Sequence, residues 1–244
     1  MQVIKPSSYT VQLIHKEFSP NNQCALLTYQ CESDFTFYDG QFVQIQCIID
    51  NHIYKRSFSL ASSSIRMLQT HQFSLLIKRV PDGLVSNWLL DEHQIGEWIT
   101  MIWPLGHLTQ QLLPLICTSY CLIWTWSGIA PLIWLAHGME HAQTPHTLIV
   151  WERHYDSLIP SIVDVITMSW SYWSWYIALS QDIISWPWYA TWHIQDILKP
   201  WLLEQHNLHT IWFFICGKPT MCQEVIDLLI HHGVPRNHIK DERY

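Results

Sequence analysis

The chain has 244 residues, of which 49% are hydrophobic and only 14% are charged, and its formal net charge is −7. This composition excludes a disordered or low-complexity protein and leaves room for one large domain or two ordinary ones. Because acidic residues outnumber basic ones by 20 to 13 and no basic cluster forms a phosphate-neutralising stripe, we do not expect nucleic acid as a partner.

The first third of the chain is predicted to consist of short β-strands. Apolar or alternating runs follow one another between Tyr9 and Lys78, with turn-rich breaks at SPNN, YDGQ and DNHIYK. The runs are TVQLI, CALLTYQC, QFVQIQCII, RSFSLAS and FSLLIKRV. Short strands at this spacing predict an antiparallel sandwich or barrel.

The pattern changes after Leu112 to alternating strands and helices. The strand segments are ICTSYCLIW, HTLIVW, SWYIALS and IWFFIC, and the helical segments are IAPLIWLAHGMEH and PTMCQEVIDLLIHHG. The last helix is expected to end with Gly233 just beyond its final turn. This alternation predicts a mostly parallel sheet covered on both faces, so we expect a β-domain over 1–108 and an α/β domain over 109–244.

One segment raises the possibility of a membrane span. No charged residue occurs from Trp98 to Met139, which is long enough for a span of about 20 residues. Pro104, Pro114 and Pro131 interrupt the segment, and a strand followed by a buried helix gives the same pattern. The N-terminus has no secretion-signal pattern, and the 7 cysteines form no CxxC motif. We therefore expect no stable membrane insertion and a cytoplasmic protein with reduced thiols.

The chemistry-bearing residues of the first domain suit a phosphate-containing cofactor. Arg56-Ser57-Phe58-Ser59 combines a forked cation that matches a pyrophosphate with a flat aromatic ring and two hydroxyl groups. By itself this tetrapeptide is also typical of an ordinary edge strand. Downstream, the segment from Lys78 to Ser86 contains a turn at Gly83 and a serine near an expected helix start, which together favour an anion site.

In these motifs and their order the chain resembles the ferredoxin–NADP reductase family. The motifs are GQFV at 40–43, RSFSLAS at 56–62, DGLVSNWL at 82–89, PLG at 104–106, SGIAPL at 127–132, CGKPTM at 216–221 and ERY at 242–244. The resemblance extends over nearly the whole chain. It implies an antiparallel FAD-binding β-barrel followed by a Rossmann-like α/β domain for NADP or NAD.

For the flavin, the resemblance implies that Arg56 binds the pyrophosphate, Phe58 lies along one face of the isoalloxazine, and Ser59 acts near flavin N5. The turn at Gly83 and Ser86 would hold the phosphates. Further cofactor-binding residues implied in this domain are Ser57, Lys78 and Val85.

For the nicotinamide, the resemblance implies that Cys216 and Glu242 lie beside the reacting carbon and act in catalysis together with Ser59. Arg153 is a candidate for a 2′-phosphate, although Ser180-Gln181 lacks the further Arg of many NADP-preferring relatives. The other implied cofactor-binding residues are Ser127, Gly128, Pro131, Gly217, Met221 and Tyr244. The expected electron acceptor is ferredoxin, flavodoxin, an oxygenase component or free flavin.

Tryptophans stand where the family commonly has glycine. All 15 tryptophans fall between Trp88 and Trp212, whereas glycine occurs only 8 times. The positions concerned are Trp103, Trp124, Trp126, Trp151, Trp188 and Trp192. We expect Trp124 and Trp126 to lie in the turn after a buried strand, where two indoles would obstruct a pyrophosphate. The alternative function is therefore a flavin-binding protein with an impaired nicotinamide site.

A zinc hydrolase is a second alternative. His137, Glu140 and His141 match the HxxEH pattern, which places two histidines on one helical face. Such a pattern arises readily by chance in a chain with 15 histidines, and the polar face of a helix accounts for it. We therefore expect no metal site.

Overall fold

The computed structural model describes residues 6–32, 36–106, 119–125, 128–141, 143–167, 171–182, 189–190 and 193–243, with backbone only for 137–141 and 189–190. The chain divides into two compact units, Met1–Leu112 and Leu113–Tyr244.

The first unit is an antiparallel sheet of six strands with two helices. Its elements are β1 (Ser7–Phe18), β2 (Cys24–Cys31), β3 (Phe42–Ile49), β4 (His52–Ser59), α1 (Ser64–Thr70), β5 (Gln72–Lys78), α2 (Leu84–Asp91) and β6 (Trp98–Leu105). The strand order is β4-β3-β6-β1-β2-β5. The two edges meet where Leu60 pairs with Leu75 and the amide of Ala61 donates to the carbonyl of Ser74 over 2.7 Å. The sheet is therefore curled into the expected barrel-like form.

The alternation of apolar side chains explains which face of this sheet is buried. In β3, Val43, Ile45, Cys47 and Ile49 are buried while the residues between them are partly or fully exposed. The period of two directs every second side chain into the barrel. Burial of these aliphatic side chains, each worth about 1.5–3 kcal/mol, stabilises the strand pairing.

The turn between β3 and β4 is shorter than the DNHIYK break indicated. β4 begins at His52, because Asp50 and Asn51 alone form the turn, with positive φ angles of 48° and 61°. Two consecutive positive φ values match the right-handed twist of a hairpin, and Asp and Asn tolerate them. As a result, Lys55 and Arg56 lie on a regular strand that is paired with β3 from end to end.

The second unit is a parallel sheet with helices. Its elements are β7 (Ser119–Thr125), α3 (Ile129–His141), β8 (His146–Glu152), α4 (Pro160–Thr167), β9 (Trp173–Leu179), β10 (Tyr189–Ala190), α5 (Ile194–Glu204), β11 (Ile211–Gly217), α6 (Pro219–His231) and β12 (Ile239–Arg243). The strand order is β10-β9-β8-β7-β11-β12, and each pairing is parallel. This confirms the fold class inferred from the sequence.

The last helix ends as the sequence indicated. Gly233 has a φ angle of +88°, and the amide of Val234 reaches back to the carbonyl of Leu229 over 3.0 Å. A glycine in this left-handed conformation lets the chain reverse and satisfies the final carbonyls of α6. Within the ranges given above, none of the helices is both long enough and apolar enough to cross a membrane.

Candidate functional site

The Arg56–Ser59 segment forms the second half of β4, at one edge of the curled sheet. Val43 pairs with Phe58, and Phe42 pairs with Ser59. Arg56 and Ser57 are exposed, whereas Phe58 packs partly against the core. The guanidinium of Arg56 contacts only the adjoining carbonyl of Lys55 among the described residues, over 2.8 Å. A forked cation, a hydroxyl group and a partly exposed aromatic face are thus presented along one strand.

Two of the motifs support this strand. The side-chain oxygen of Gln41 accepts the amide of Tyr38 over 2.8 Å, and the Gln41 carbonyl accepts the amide of Leu60 over 3.0 Å. Gly106 has a φ of +93°, and a Cβ built there would lie 2.7 Å from the ring of Phe42. GQFV and PLG therefore allow the start of β3 to pack closely against the end of β6. The end of β4 lies at the same place, because Ser59 pairs with Phe42.

The segment after β5 forms a tight turn that leads into α2. The amide of Gly83 donates to the carbonyl of Val80 over 2.9 Å, and Gly83 caps the helix. A Cβ at Gly83 would lie 2.6 Å from Ser86 Oγ and 2.8 Å from Val80 Cβ, so the turn closes tightly around glycine. The first amides of a helix lack intrahelical acceptors and attract anions. Val85 is buried, so its backbone, and not its side chain, is available to a phosphate.

The other end of α2 is fixed by charge. Lys16 Nζ donates to the carbonyls of Leu89 and Leu90 over 2.9 and 3.0 Å. Arg79 forms a bidentate pair with Asp91, with both N–O distances at 2.7 Å. A cation on the last carbonyls of a helix complements its dipole. These contacts anchor the carboxyl end of α2. The amino end of the helix, where the helix dipole is positive, lies at the Gly83 turn.

In the second unit, β7 is the point at which the strand order reverses. β8 pairs with one side of β7 and β11 pairs with the other, so the chain leaves β7 in one direction and returns on the other side. Open α/β sheets bind their ligands beyond the carboxyl ends of the strands at such a point. Here those ends are Thr125 and Gly217.

Glycines bring the backbone segments together at this crevice. A Cβ on Gly128, just before α3, would lie 2.5 Å from the carbonyl oxygen of Cys216. A Cβ on Gly217 would lie 2.6 Å from Met221 Cε and 2.8 Å from Thr125 Oγ1. The backbone atoms beside Gly128 therefore exclude a side chain there, whereas the crowding at Gly217 comes from the side chains of Met221 and Thr125. The close approach brings the α3 start and the β11 end to one place, as the SGIAPL and CGKPTM motifs indicated.

Cys216 and Glu242 lie side by side, as their expected common role requires. They occupy paired positions on the parallel strands β11 and β12. Cys216 is buried, and burial raises the pKa of its thiol well above the ordinary value, with further contributions from Glu242 and Cys222. The thiol is consequently neutral near pH 7 and is not a thiolate nucleophile. The structure brings the two residues together, while their catalytic roles remain a prediction.

Arg153 follows the carboxyl end of β8 directly and is exposed. Its carbonyl accepts the amide of Gln181 over 3.0 Å, and the carbonyl of Glu152 accepts the amide of Ser180 over 3.0 Å. The backbone ladder between β8 and β9 thus continues past the strands themselves. These bonds hold Arg153 at the same edge of the sheet as Gly128 and Gly217.

Of the remaining implied residues, some are described by the structure and others lie outside the described residues. Met221 is half-buried in the first turn of α6, Pro131 is buried in the first turn of α3, and Lys78 is half-buried at the end of β5. Three features of the sequence analysis lie outside the described residues or side chains. They are Ser127 and Tyr244, the tryptophans Trp126, Trp188 and Trp192, and the HxxEH side chains of His137, Glu140 and His141. Among the side chains that are described, no cluster of three or more His, Cys, Asp or Glu is arranged to hold a metal ion.

The expectation for Trp124 is wrong. Trp124 does not lie in the turn but within β7, paired with Val150 on one side and Cys216 on the other, and it is completely buried. Its side chain is therefore part of the buried interior of the second unit. Trp103 is likewise a core residue of β6, stacked on Tyr9 with ring centroids 4.5 Å apart. Trp151 lies in β8, half-buried.

Sequence reasoning missed one pair of residues at this edge. His154 Nδ1 lies 2.8 Å from Asp182 Oδ1, and the amide of Tyr155 donates to Asp182 Oδ2. The two residues come from the ends of different strands, β8 and β9, and no motif of the sequence connects them. Only the pairing of those strands reveals that they meet.

Comparison with known proteins agrees with this architecture. Residues 11–110 match the oxidoreductase FAD-binding domain family. The glycine betaine monooxygenase reductase subunit of Chromohalobacter salexigens is 39% identical over 72 residues, which are 30% of this chain and 19% of that protein. The xylene/toluene monooxygenase electron transfer component of Pseudomonas putida is 20% identical over 219 residues, covering 87% of this chain and 59% of that protein. The first curated relatives are thus matched over about a fifth of their own length.

Solved structures share the two-unit fold. The ferredoxin reductase in carbazole 1,9a-dioxygenase superposes with a TM-score of 0.83 at 20% identity, covering 100% of this chain and 71% of that one. A ferredoxin NADP+ reductase from Neisseria gonorrhoeae, solved with bound FAD and NADP, gives 0.80 at 18% identity and covers 98% and 99%. The first unit is an oxidoreductase FAD-binding domain. The chain as a whole shares the two-unit fold of these ferredoxin reductase structures.

Proposed function

We propose that the chain is a reductase that takes hydride from NAD(P)H onto FAD and passes electrons to ferredoxin, flavodoxin or an oxygenase component. The observation that carries the proposal is the reversal of strand order at β7, beside which Gly128 packs closely against the backbone of Cys216. It accompanies an FAD-binding domain over residues 11–110. A flavin domain and a parallel sheet with a strand-order reversal, present in one chain, are what a dinucleotide-dependent reductase needs.

The residues of the first unit fit FAD. Arg56 and the amino end of α2 offer a forked cation and backbone N–H groups to the two phosphates. Phe58 and Ser59 offer a ring face and a hydroxyl group to the flavin ring. The tight Gly83 turn leaves no room for a Cβ beside these amides. When bound, FAD supplies the hydride-accepting and electron-releasing chemistry.

The contribution of the protein to such a reaction is positioning. The buried, neutral Cys216 thiol places no charge at the end of β11, and Glu242 offers a carboxylate one strand away. Gly128 keeps the start of α3 in close contact with the end of β11, which fixes the edge of the sheet where the nucleotide would bind. Hydride transfer requires little acid–base catalysis. The main tasks of these residues are therefore to fix the geometry of the reactants and to exclude water.

The acceptor and the cellular compartment belong to the proposal as well. Relatives named as monooxygenase reductase and electron transfer components support an oxygenase or a ferredoxin as the acceptor. The six cysteines of the described residues are buried thiols, which supports a reducing compartment such as the cytoplasm.

The test is turnover by the purified chain. The protein, supplemented with FAD, is mixed with NADPH or NADH and with ferricyanide, ferredoxin or flavodoxin, and nucleotide oxidation is followed. We expect FAD-dependent turnover that is lost in Arg56→Ala at low FAD and recovers when FAD is raised. FAD uptake without oxidation of either nucleotide would instead support the alternative of a flavin protein with an impaired nicotinamide site.

A further inference from the structure

The His154–Asp182 pair is a built feature of the nucleotide-binding edge. His154 Nδ1 lies 2.8 Å from Asp182 Oδ1. An ionised carboxylate only accepts hydrogen bonds, so Nδ1 carries the proton and donates it to Asp182. The second carboxylate oxygen accepts the amide of Tyr155. With both of its oxygens engaged, Asp182 fixes the imidazole plane and leaves Nε2 as the unengaged ring nitrogen.

The exposures of the two side chains show which one faces solvent. The side chain of His154 is 45% exposed, whereas that of Asp182 is 25% exposed. Burial raises the pKa of the Asp182 carboxyl, but hydrogen bonds from Tyr155 and His154 outweigh this and hold the pKa below its usual value. The carboxylate is therefore ionised near pH 7 and engaged within the protein, so the imidazole is the group offered to a ligand.

The pair lies where an adenosine ribose is expected. In dinucleotide-binding sheets the end of the strand next to the switch strand meets the ribose, through an acidic residue for a 2′-hydroxyl or an Arg for a 2′-phosphate. That strand is β8, which ends at Glu152. Glu152 is buried and accepts the amide of Arg153 over 2.7 Å, so it is turned away from a ligand. Arg153 and His154 are the next two residues.

The charges around this position indicate that the charge on His154 affects whether a phosphate dianion can bind. Arg153 is exposed and forms no ion pair within the described part of the chain. The acidic groups nearby are Asp182, which is held by His154, Asp156, which is exposed two residues further on, and the buried Glu152. Arg153 is thus one positive charge among three acidic groups. A second positive charge on His154 shifts this balance towards binding a dianion.

We propose that His154, oriented by Asp182 and assisted by Arg153, binds the adenosine ribose of the nicotinamide dinucleotide, taking a 2′-phosphate when the imidazole is charged and a 2′-hydroxyl when it is neutral. The proposal rests on the proposed function, because it deepens the nucleotide choice of the same site. A charged imidazole donates from Nε2 to a phosphate oxygen, whereas a neutral one accepts the hydroxyl proton at Nε2. Imidazoles change charge between about pH 5 and 8, so preference for NADPH over NADH rises as the pH falls.

The first experiment measures binding by calorimetry on the full chain, without hydride transfer. The probes are adenosine 2′,5′-bisphosphate and 5′-AMP at about pH 6 and pH 8, and the matched control is His209→Ala, which removes an exposed imidazole at the opposite, amino end of β11. We expect His154→Ala to weaken the bisphosphate about tenfold at pH 6 and little at pH 8, with 5′-AMP unchanged. Ionisation of the phosphate itself affects all variants alike and cancels in this comparison.

A gain-of-function variant keeps the test independent of folding losses. His154→Arg has a permanent charge, so it is expected to bind the bisphosphate tightly at both pH values. Asp182→Asn is expected to lower the bisphosphate preference at pH 6, because the imidazole loses its charged partner. The proposal is overturned by equal bisphosphate affinity of the unmodified chain and His154→Ala at pH 6. It is also overturned if the affinity of His154→Arg, relative to that of His154→Ala, falls from pH 6 to pH 8 as steeply as that of the unmodified chain.

Flavin reduction separates this inference from the proposed function. If the bisphosphate behaves as expected but neither NADPH nor NADH reduces the flavin, the proposed function fails and the ribose site stands. If both nucleotides reduce the flavin and the ratio of kcat/KM for NADPH to that for NADH is independent of pH and of His154, the ribose site fails and the reductase stands.

Discussion

Replacing Gly128 with alanine tests the crevice between β7 and β11 most sharply. The added Cβ would lie 2.5 Å from the carbonyl oxygen and 2.9 Å from the carbonyl carbon of Cys216. Non-bonded heavy atoms settle at about 3.5 Å, so the backbone has to separate by roughly 0.6–1 Å. Because the obstructing atoms are backbone, rotation of a side chain brings no relief. Overpacking of this kind costs about 1–3 kcal/mol.

The assays are urea unfolding and the rate of flavin reduction by NAD(P)H. We expect Gly128→Ala to lower the free energy of unfolding by about 1–3 kcal/mol and to slow reduction at least tenfold, with FAD content unchanged. Gly233→Ala is the control, because it has a φ of +88° but open space around its Cβ. It should cost about 1 kcal/mol and leave reduction intact. A Gly128→Ala protein as stable and as active as the unmodified chain would refute the close approach of α3 to β11.

Three further changes have defined outcomes. Arg56→Ala should weaken FAD binding by about 1.5–3 kcal/mol, measured by equilibrium dialysis, through loss of a charge-assisted phosphate contact; unchanged affinity would remove Arg56 from the site. Trp124→Phe should leave flavin reduction unchanged and lower stability only through the cavity that it leaves, because the buried indole N–H of Trp124 has no hydrogen-bond partner within the described part of the chain; faster reduction would restore the steric argument. Burial lowers the pKa of His93, an effect that Glu97 partly offsets. The contribution of His93 to stability is therefore complete above about pH 6.5 and declines below it, so the urea midpoint should fall between about pH 7.5 and 5.5, and less so in His93→Gln.

Much of the fold follows from local sequence patterns. The period-two alternation in β3 and the apolar runs of β7, β8 and β11 determine strands, and the helix over Ile129–His141 follows the apolar segment after Gly128. These signals are local, since each depends on residues a few positions apart. The motifs through which the resemblance implies Gly128, Cys216 and Gly217 as site residues are local in the same sense.

Two features could not be predicted from the sequence, the burial of Trp124 and the contact between His154 and Asp182. The first depends on where a strand ends, and the second depends on which strands pair. The sequence does not show that β7 continues one residue past Trp124 to Thr125, and this extension of the strand places Trp124 in the buried interior instead of in the turn. The contact between His154 and Asp182 requires β8 and β9 to be neighbours, with their ends level. Neither side chain is exceptional in its own segment, so no local pattern identifies the pair.

The central claim is that this chain holds FAD and accepts hydride from a nicotinamide dinucleotide. Its most direct test is the absorption spectrum of the purified chain, recorded without oxygen before and after addition of NADPH or NADH. The account predicts a flavin band near about 450 nm, equivalent to roughly one FAD per chain, that bleaches with either or both nucleotides. A protein that remains colourless after incubation with FAD, or a flavin band that neither nucleotide bleaches although dithionite does, would contradict it.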